Sequence, residues 1–143
     1  MKFAQGSDPF LLWGPVAAYM AGIFYASSLT AVPAPVGDWF SDTILHMAGY
    51  GGLALFVLRA LARGKWAGVT VGAAIAAWLI TTLYGASDEW HQMYVPGRSS
   101  ELRDLMNDAA GALVAVGAAG AWSIMRGPSR AEARPPSGLS HDL

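Results

Sequence analysis

The stretch Trp66-Ala-Gly-Val-Thr-Val-Gly-Ala-Ala-Ile-Ala-Ala-Trp-Leu-Ile-Thr-Thr-Leu-Tyr-Gly-Ala-Ser87 contains no Asp, Glu, Lys or Arg. A helix needs about 20 predominantly apolar residues to cross the hydrocarbon core of a bilayer, and this stretch meets that requirement. The whole chain is 54% hydrophobic and 13% charged, whereas soluble domains carry roughly 25% charged residues. Because the stretch is apolar all round rather than amphipathic, it favours a membrane helix over a helix of a soluble bundle.

Three further charge-free runs have the same character and cover residues 9–37, 43–58 and 109–125. The first is long enough to span a bilayer. The other two reach that length only if Asp42 and Asp108 lie within the helices near one interface and the arginines at the opposite ends snorkel to the other. The sequence therefore predicts an all-α membrane protein with four transmembrane helices, at about residues 10–29, 42–62, 66–85 with an extension towards 94, and 99–125.

Lys and Arg are distributed unevenly between the two sides of this predicted bundle. Arg98 and Arg103 lie on one side, between the third and fourth helices. The positive-inside rule assigns the richer side to the cytoplasm, so we expect both termini in the cytoplasm and the polar motifs at the outer face of a bacterial inner membrane. The other seven basic residues are Lys2, Arg59, Arg63, Lys65, Arg126, Arg130 and Arg134.

The domain organisation is simple. Residues 1–126 form one predicted membrane domain, and residues 127–143 are rich in Pro, Ser, Ala and Arg without periodicity, which predicts a disordered cytoplasmic tail. Gly68 and Gly72 form a GxxxG pair of the kind that permits close helix approach, although 17 glycines in the chain make a chance pair as good an explanation. The absence of cysteine excludes disulfide and thiol chemistry.

Polar side chains gather at the outer ends of the predicted helices. Asp42, His46 and Tyr50 are spaced by four and lie on one stripe of a helix. Ionisable groups at the edge of the hydrocarbon layer are costly, so they are by default a functional-site hypothesis. The predicted pocket consists of Asp42, His46, Tyr50, Tyr84, Asp88, Glu89, Gln92, Arg98, Asp104 and Asp108.

Two hypotheses explain the residues of this pocket. In the functional hypothesis His46, oriented by Asp42, is a proton acceptor, or a metal ligand together with Asp88, Glu89 or Asp108. No tight ligand pair such as HxxxH occurs, so we assign no metal ligand and no cofactor from the sequence. In the structural hypothesis, the same groups form a hydrogen-bond network that holds four short helices together.

Several short motifs occur in a fixed order between the apolar runs. They are Ser27-Ser28, Asp42-x-x-x-His46-x-x-x-Tyr50, Tyr84-Gly-x-x-Asp88-Glu89-x-x-Gln92, Pro96-Gly97-Arg98, and Asp104 with Gly111. In this order the chain resembles the VanZ-like family over about residues 27–120. These are small multi-pass membrane proteins named for a protein associated with teicoplanin resistance.

The chain departs from the family pattern at two positions. Thr43 stands where the family often has Lys, and Asp108 stands where it often has Asn. The resemblance implies a membrane protein linked to glycopeptide tolerance in some bacteria, and it implies no particular catalytic step.

Three functions from different classes fit these observations. The first is a membrane protein whose outer pocket recognises an envelope component, such as a lipid-linked glycan or a phospholipid headgroup, with Arg98 and Arg103 meeting a phosphate. The second is an integral-membrane enzyme that acts on such a lipid by acid/base or metal-assisted chemistry. The third is a structural subunit of a larger membrane complex. Nothing in the sequence indicates a nucleic-acid partner.

Overall fold

The computed structural model describes residues 8–30 and 42–126, and these residues form four α-helices. The all-helical prediction is confirmed for this part of the chain. The predicted disordered tail, residues 127–143, lies outside the described residues and stays a prediction. The helices are α1 Pro9–Ser27, α2 Asp42–Leu61, α3 Val71–Gln92 and α4 Leu102–Arg126.

The first helix begins where local chemistry dictates. The Asp8 carboxylate accepts a hydrogen bond from the Phe10 backbone N–H at 2.9 Å, which satisfies one of the donors that a helix N-terminus leaves unpaired. Pro9 follows in the first turn, where its missing N–H costs nothing. The helix therefore starts at the polar edge of the apolar run, close to the predicted boundary.

The third helix starts five residues later than predicted. Gly68 has a φ of +78°, a left-handed conformation that ends any regular helix there. Thr70 then caps the helix, because its hydroxyl accepts from the Ala73 N–H at 3.1 Å. A Cβ added at Gly68 would meet nothing within 4 Å, and one added at Gly72 would meet only the Thr70 hydroxyl at 4.0 Å. Of the two explanations for the GxxxG pair, the structure therefore favours a chance pair over close helix approach. The predicted helical extension past Gly85 is confirmed, since α3 continues to Gln92.

The core of the bundle is built around α2. Leu53, Val57 and Leu58 of this helix are fully buried, and α2 packs most extensively against α4. A Cβ added at Gly111 of α4 would lie 2.6 Å from the Met47 Cα, a separation that real Cβ atoms do not adopt. Gly111 is thus the glycine that allows two helices to approach closely.

The outside of the bundle is apolar. Phe10 and Ile124 expose 87% and 81% of their surface, which a soluble monomer rarely does over large contiguous areas. By length and composition, α1, α2 and α4 could each cross a membrane. The α3 helix is also long enough, with 22 residues, but Asp88 and Glu89 in its last turns lower its apolar character. Three helices therefore support the membrane assignment directly.

The two ends of the bundle differ in chemistry. At one end, Ser27 of α1 contacts Asp88 of α3, and the polar residues of all four helices gather there. At the other end, the Val69 N–H donates to the Ser123 hydroxyl at 2.9 Å, which joins the start of α3 to the last turns of α4. Arg126 closes α4 at that second end. The predicted polar pocket, which includes Arg98, and Arg126 therefore lie at opposite ends of the bundle.

Candidate functional site

Asp88 is the acceptor that joins three helices. Its Oδ1 accepts a hydrogen bond from the Ser27 hydroxyl of α1 at 2.6 Å. Its Oδ2 accepts from the Tyr50 hydroxyl of α2 at 3.1 Å and from the Gln92 amide at 3.2 Å. An ionised carboxylate accepts and does not donate, so three donors stabilise the charge of this buried group.

His46 is oriented by a carboxylate from a different helix. Its Nδ1 lies 2.8 Å from the Asp108 Oδ1, and Asp108 is 0% exposed. The prediction that Asp42 orients the ring is wrong, because the Asp42 Oδ1 lies 3.9 Å from Nε2, beyond hydrogen-bond distance. The Asp104 Oδ2 lies at a similar 3.8 Å from the same nitrogen. The ring thus has one bonded nitrogen and one nitrogen that faces two carboxylates.

Gly85 provides the space in which Asp108 lies beside α3. A Cβ at this position would come within 3.0 Å of the Asp108 Oδ2 and 3.2 Å of Tyr50 Cε1. That Asp108 oxygen is buried and has no hydrogen-bond partner. His46 contacts Asp108 and Tyr50 contacts Asp88. The two rings are parallel within 2° at 6.4 Å between centroids, so both carboxylates belong to one polar cluster.

Glu89 shares the Gln92 amide nitrogen with Asp88 and also contacts the segment before α4. Its Oε1 accepts from the Gln92 amide at 3.3 Å and its Oε2 accepts from the Glu101 backbone N–H at 2.9 Å. Both oxygens are therefore hydrogen-bonded, and the side chain ties α3 to the residues that precede α4.

Tyr84 lies at the margin of the cluster. Its hydroxyl donates to the Met20 carbonyl oxygen of α1 at 2.7 Å, and its ring centroid lies 6.3 Å from that of Tyr50. Tyr84 lies one turn before Asp88 on α3, and its hydrogen bond attaches α3 to α1. This side chain therefore stabilises the packing of the two helices.

The two arginines of this end have different surroundings. Arg103 is largely exposed and pairs with Glu101 at 3.2 Å, with the Asp104 Oδ1 at 3.7 Å. For Arg98, no carboxylate of residues 8–30 and 42–126 forms an ion pair, and its buried Nε has no hydrogen-bond partner. Arg98 is therefore a cation of this site whose charge no described carboxylate balances.

Two of the cavities at this end of the bundle share polar residues of the cluster. The larger of these two has a volume of about 330 Å³ and the smaller, more polar one about 110 Å³, while a separate cavity of about 530 Å³ lies beside Phe24, Asp88 and His91. Residues that line both of the first two cavities are Asp42, His46, Gln92 and Arg98. The cavity of about 330 Å³ also has an apolar wall from α1 and α2, which is formed by Ile23, Ala26, Leu45 and Gly49. A cavity with a polar end and an apolar wall suits an amphipathic molecule.

The structure brings the predicted residues to one end of the bundle and adds two that were not predicted as site residues. Ser27 appears in the sequence analysis as part of the Ser27-Ser28 motif and not as a site residue. The sequence feature that could have indicated its role is a serine at the end of an apolar helix. The main-chain N–H of Glu101 carries no sequence signal. Within residues 8–30 and 42–126, two sets of side chains have potential ligand atoms within 4.8 Å of one another, namely Asp42-His46-Asp104 and His46-Glu89-Asp108.

The comparisons with known proteins agree with this architecture. No curated protein and no solved structure matches the chain. The family model described as VanZ/LLP1 matches residues 13–124, a range that contains the whole polar cluster and extends the resemblance of residues 27–120 in both directions. The chain therefore belongs to the VanZ/LLP1 family.

Proposed function

We propose that this protein recognises an amphipathic component of the bacterial cell envelope in a pocket at the outer face of the inner membrane. The observation that carries the proposal is the cavity of about 330 Å³, which has the apolar residues Ile23 and Leu45 on one side and Asp88 and Arg98 on the other. Such a cavity holds an acyl or prenyl chain against the helices while the headgroup meets the polar end.

The proposal includes a topology of four membrane passes with both termini in the cytoplasm. The polar cluster lies at the end opposite Arg126, whose guanidinium carbon stands 4.3 Å from the centre of the Trp122 ring. A basic residue beside an exposed Trp is typical of a membrane interface. With the basic end inside, the cavity opens towards the envelope.

The side chains around the cavity define the headgroup that would fit. Asp42 and Asp88 present carboxylate oxygens, which accept hydrogen bonds from glycan hydroxyls or from an ammonium group. Arg98 lines the same cavity and has donors for a phosphate in fork geometry. A lipid-linked glycan or a zwitterionic phospholipid combines these features. The family resemblance adds a link to teicoplanin tolerance, which we include in the proposal on that ground alone.

A cavity-filling substitution tests this function. Gly49 lines the cavity, and a Cβ added to it would meet nothing within 4 Å, so we expect Gly49→Leu to fill part of the cavity. Gly22→Leu is the matched control, because Gly22 has equal room and does not line the cavity. Mass spectrometry of lipids retained in native nanodiscs should show an enriched lipid for the unmodified protein and Gly22→Leu only. Equal lipid profiles for all three proteins would refute the proposal.

A second candidate function is an enzyme that acts on such a lipid. The specific observation in its favour is His46, whose Nδ1 bonds to the buried Asp108 while the ring lines the cavity. A carboxylate on one nitrogen fixes the tautomer that leaves Nε2 as a base. Incubation of the protein with envelope lipids should then give a product that His46→Gln fails to form while lipid retention persists. Retention without any product favours pure recognition.

A further inference from the structure

The His46 ring is oriented by a carboxylate, as the imidazole rings of metal-ligating histidines are. Its Nδ1 lies 2.8 Å from the Asp108 Oδ1, and Asp108 is fully buried. When Asp108 is ionised it accepts the Nδ1 proton, so the neutral ring presents a lone pair on Nε2. A carboxylate in this outer position orients metal-ligating histidines and raises their basicity.

Two carboxylates face the free nitrogen. The Asp42 Oδ1 lies 3.9 Å from Nε2 and the Asp104 Oδ2 lies 3.8 Å from it. Two ligand atoms that share a Zn²⁺ ion at about 2.1 Å each lie at most about 4.2 Å apart. Asp42 is 52% exposed, so its side chain has room to rotate inward. The three atoms therefore surround a point that a divalent ion could occupy with small side-chain movements.

Buried carboxylate oxygens near His46 lack hydrogen-bond partners. The Asp104 side chain is 8% exposed and makes no hydrogen bond to any described residue. Its buried Oδ1 has no hydrogen-bond partner, and the ion-pair contact of this oxygen with the exposed Arg103 is 3.7 Å long. The Asp108 Oδ2 on the other side of the ring is also buried and unpartnered. Buried carboxylates are normally paired or coordinate a metal, and these two are neither fully paired nor exposed to water.

The alternative set of ligands is less suitable. Glu89 could join His46 and Asp108 by distance, but both of its oxygens already accept hydrogen bonds, from Gln92 and from the Glu101 N–H. The polar cavity of about 110 Å³ is lined by Asp42, His46 and Asp104 and not by Glu89. It offers space for an ion and for water molecules that complete its coordination.

We propose that Asp42, His46 and Asp104 bind one divalent transition-metal ion, with Asp108 as the outer carboxylate that orients His46. One imidazole and two carboxylates form a mixed nitrogen and oxygen donor set, which suits Zn²⁺ or Mn²⁺ better than Mg²⁺ or Ca²⁺. Three protein ligands leave at least one coordination position for water or for a ligand in the cavity. The inference does not rest on lipid recognition, because ion binding is measured on the protein alone.

The test is a titration of the metal-free full-length protein in detergent with Zn²⁺, followed by calorimetry, and with Co²⁺, followed by its visible absorption. We expect one ion per chain, and a loss of affinity of at least about 10-fold in His46→Gln and Asp104→Asn. Asp108→Asn should weaken binding by about 10- to 100-fold, the usual effect of an outer-shell partner. Glu101→Gln is the matched control, because this carboxylate lines the same cavity and is not a ligand.

Asp42→Asn keeps the test decisive if a buried variant fails to fold, because Asp42 is half-exposed and its contact with His46 is 3.9 Å long. This variant should also lower the affinity by about 10-fold. Absence of stoichiometric Zn²⁺ or Co²⁺ binding to the unmodified protein would overturn the inference. Equal affinity in the unmodified protein, Asp42→Asn and Asp104→Asn would do the same.

Discussion

Ser27 donates its hydroxyl hydrogen to the Asp88 Oδ1 at 2.6 Å, across 61 residues of sequence. Ser27 is the last residue of α1 and Asp88 lies in the penultimate turn of α3. Because α1 packs mainly on α2 and only marginally on α3, this bond is one of the few contacts that hold the end of α1 over the polar cluster, beside the Phe24–His91 ring contact. It also closes one side of the proposed lipid cavity.

Ser27→Ala should therefore lower the thermal stability of the protein in detergent, by about 1–2 kcal/mol, because the Asp88 Oδ1 is left buried without a donor. The matched control is Ser28→Ala, since the hydrogen bond of the Ser28 hydroxyl to a described residue goes to the Phe24 carbonyl of its own helix. Thermal melting of both variants measures the difference. Equal melting temperatures for the two would show that the contact between Ser27 and Asp88 does not hold α1.

Gly111→Ala should destabilise the bundle by about 1–3 kcal/mol, the usual cost of overpacking. The added methyl group would collide with the Met47 backbone, and backbone atoms cannot rotate away. Gly117→Ala, on the same helix with nothing within 4 Å of its Cβ, should be neutral or slightly stabilising because alanine favours the helix. Melting curves that place the two variants together would contradict the close contact of α2 and α4.

The sequence predicts the helices well because the absence of charge over a long run is a direct physical signal. It places the start of α3 wrongly because residues 66–70 are as apolar as the helix that follows. The features that start α3 are conformational, namely the positive φ of Gly68 and the Thr70 cap. Neither changes the hydropathy of the run.

The sequence predicts part of the arrangement within the site and misses the rest. Spacing correctly places Asp42, His46 and Tyr50 on one stripe, because it depends on the helix repeat alone. It assigns the wrong carboxylate to His46, since the choice between Asp42 and Asp108 depends on how α2 and α4 rotate against each other. The packing of these two helices includes the close contact of Gly111 with the Met47 backbone, which no spacing within one helix reveals.

The proposed topology predicts opposite labelling of two cysteine variants. The chain has no cysteine of its own, so Ser99→Cys and Ala67→Cys are unique labels on exposed residues at opposite ends of the bundle. A membrane-impermeant maleimide added to intact spheroplasts should modify Ser99→Cys alone, and both variants should react after lysis. Modification of Ala67→Cys in intact spheroplasts, with Ser99→Cys protected, would reverse the assignment of the outer face.

Asp104→Asn separates a functional pocket from a structural network. Asp88 and Glu89 are less informative positions for this purpose, because their carboxylates accept hydrogen bonds and an amide would disturb the fold as well as the charge. Asp104 makes no hydrogen bond to the described residues, and its nearest charged neighbours are 3.7 and 3.8 Å away. Replacing its buried charge with a neutral amide should leave the melting temperature unchanged or raise it.

If the cluster serves function, Asp104→Asn should nevertheless lose any glycopeptide tolerance that the protein confers, although Asp104 lines the small polar cavity and not the lipid cavity. Tyr50→Phe is the contrasting variant, because it removes a donor from Asp88 and should lower the melting temperature. Lipid retention, tolerance in cells and thermal melting are compared for the two variants and the unmodified protein. Functional loss only in proportion to lost stability, with Asp104→Asn fully active, would favour the structural network over the pocket.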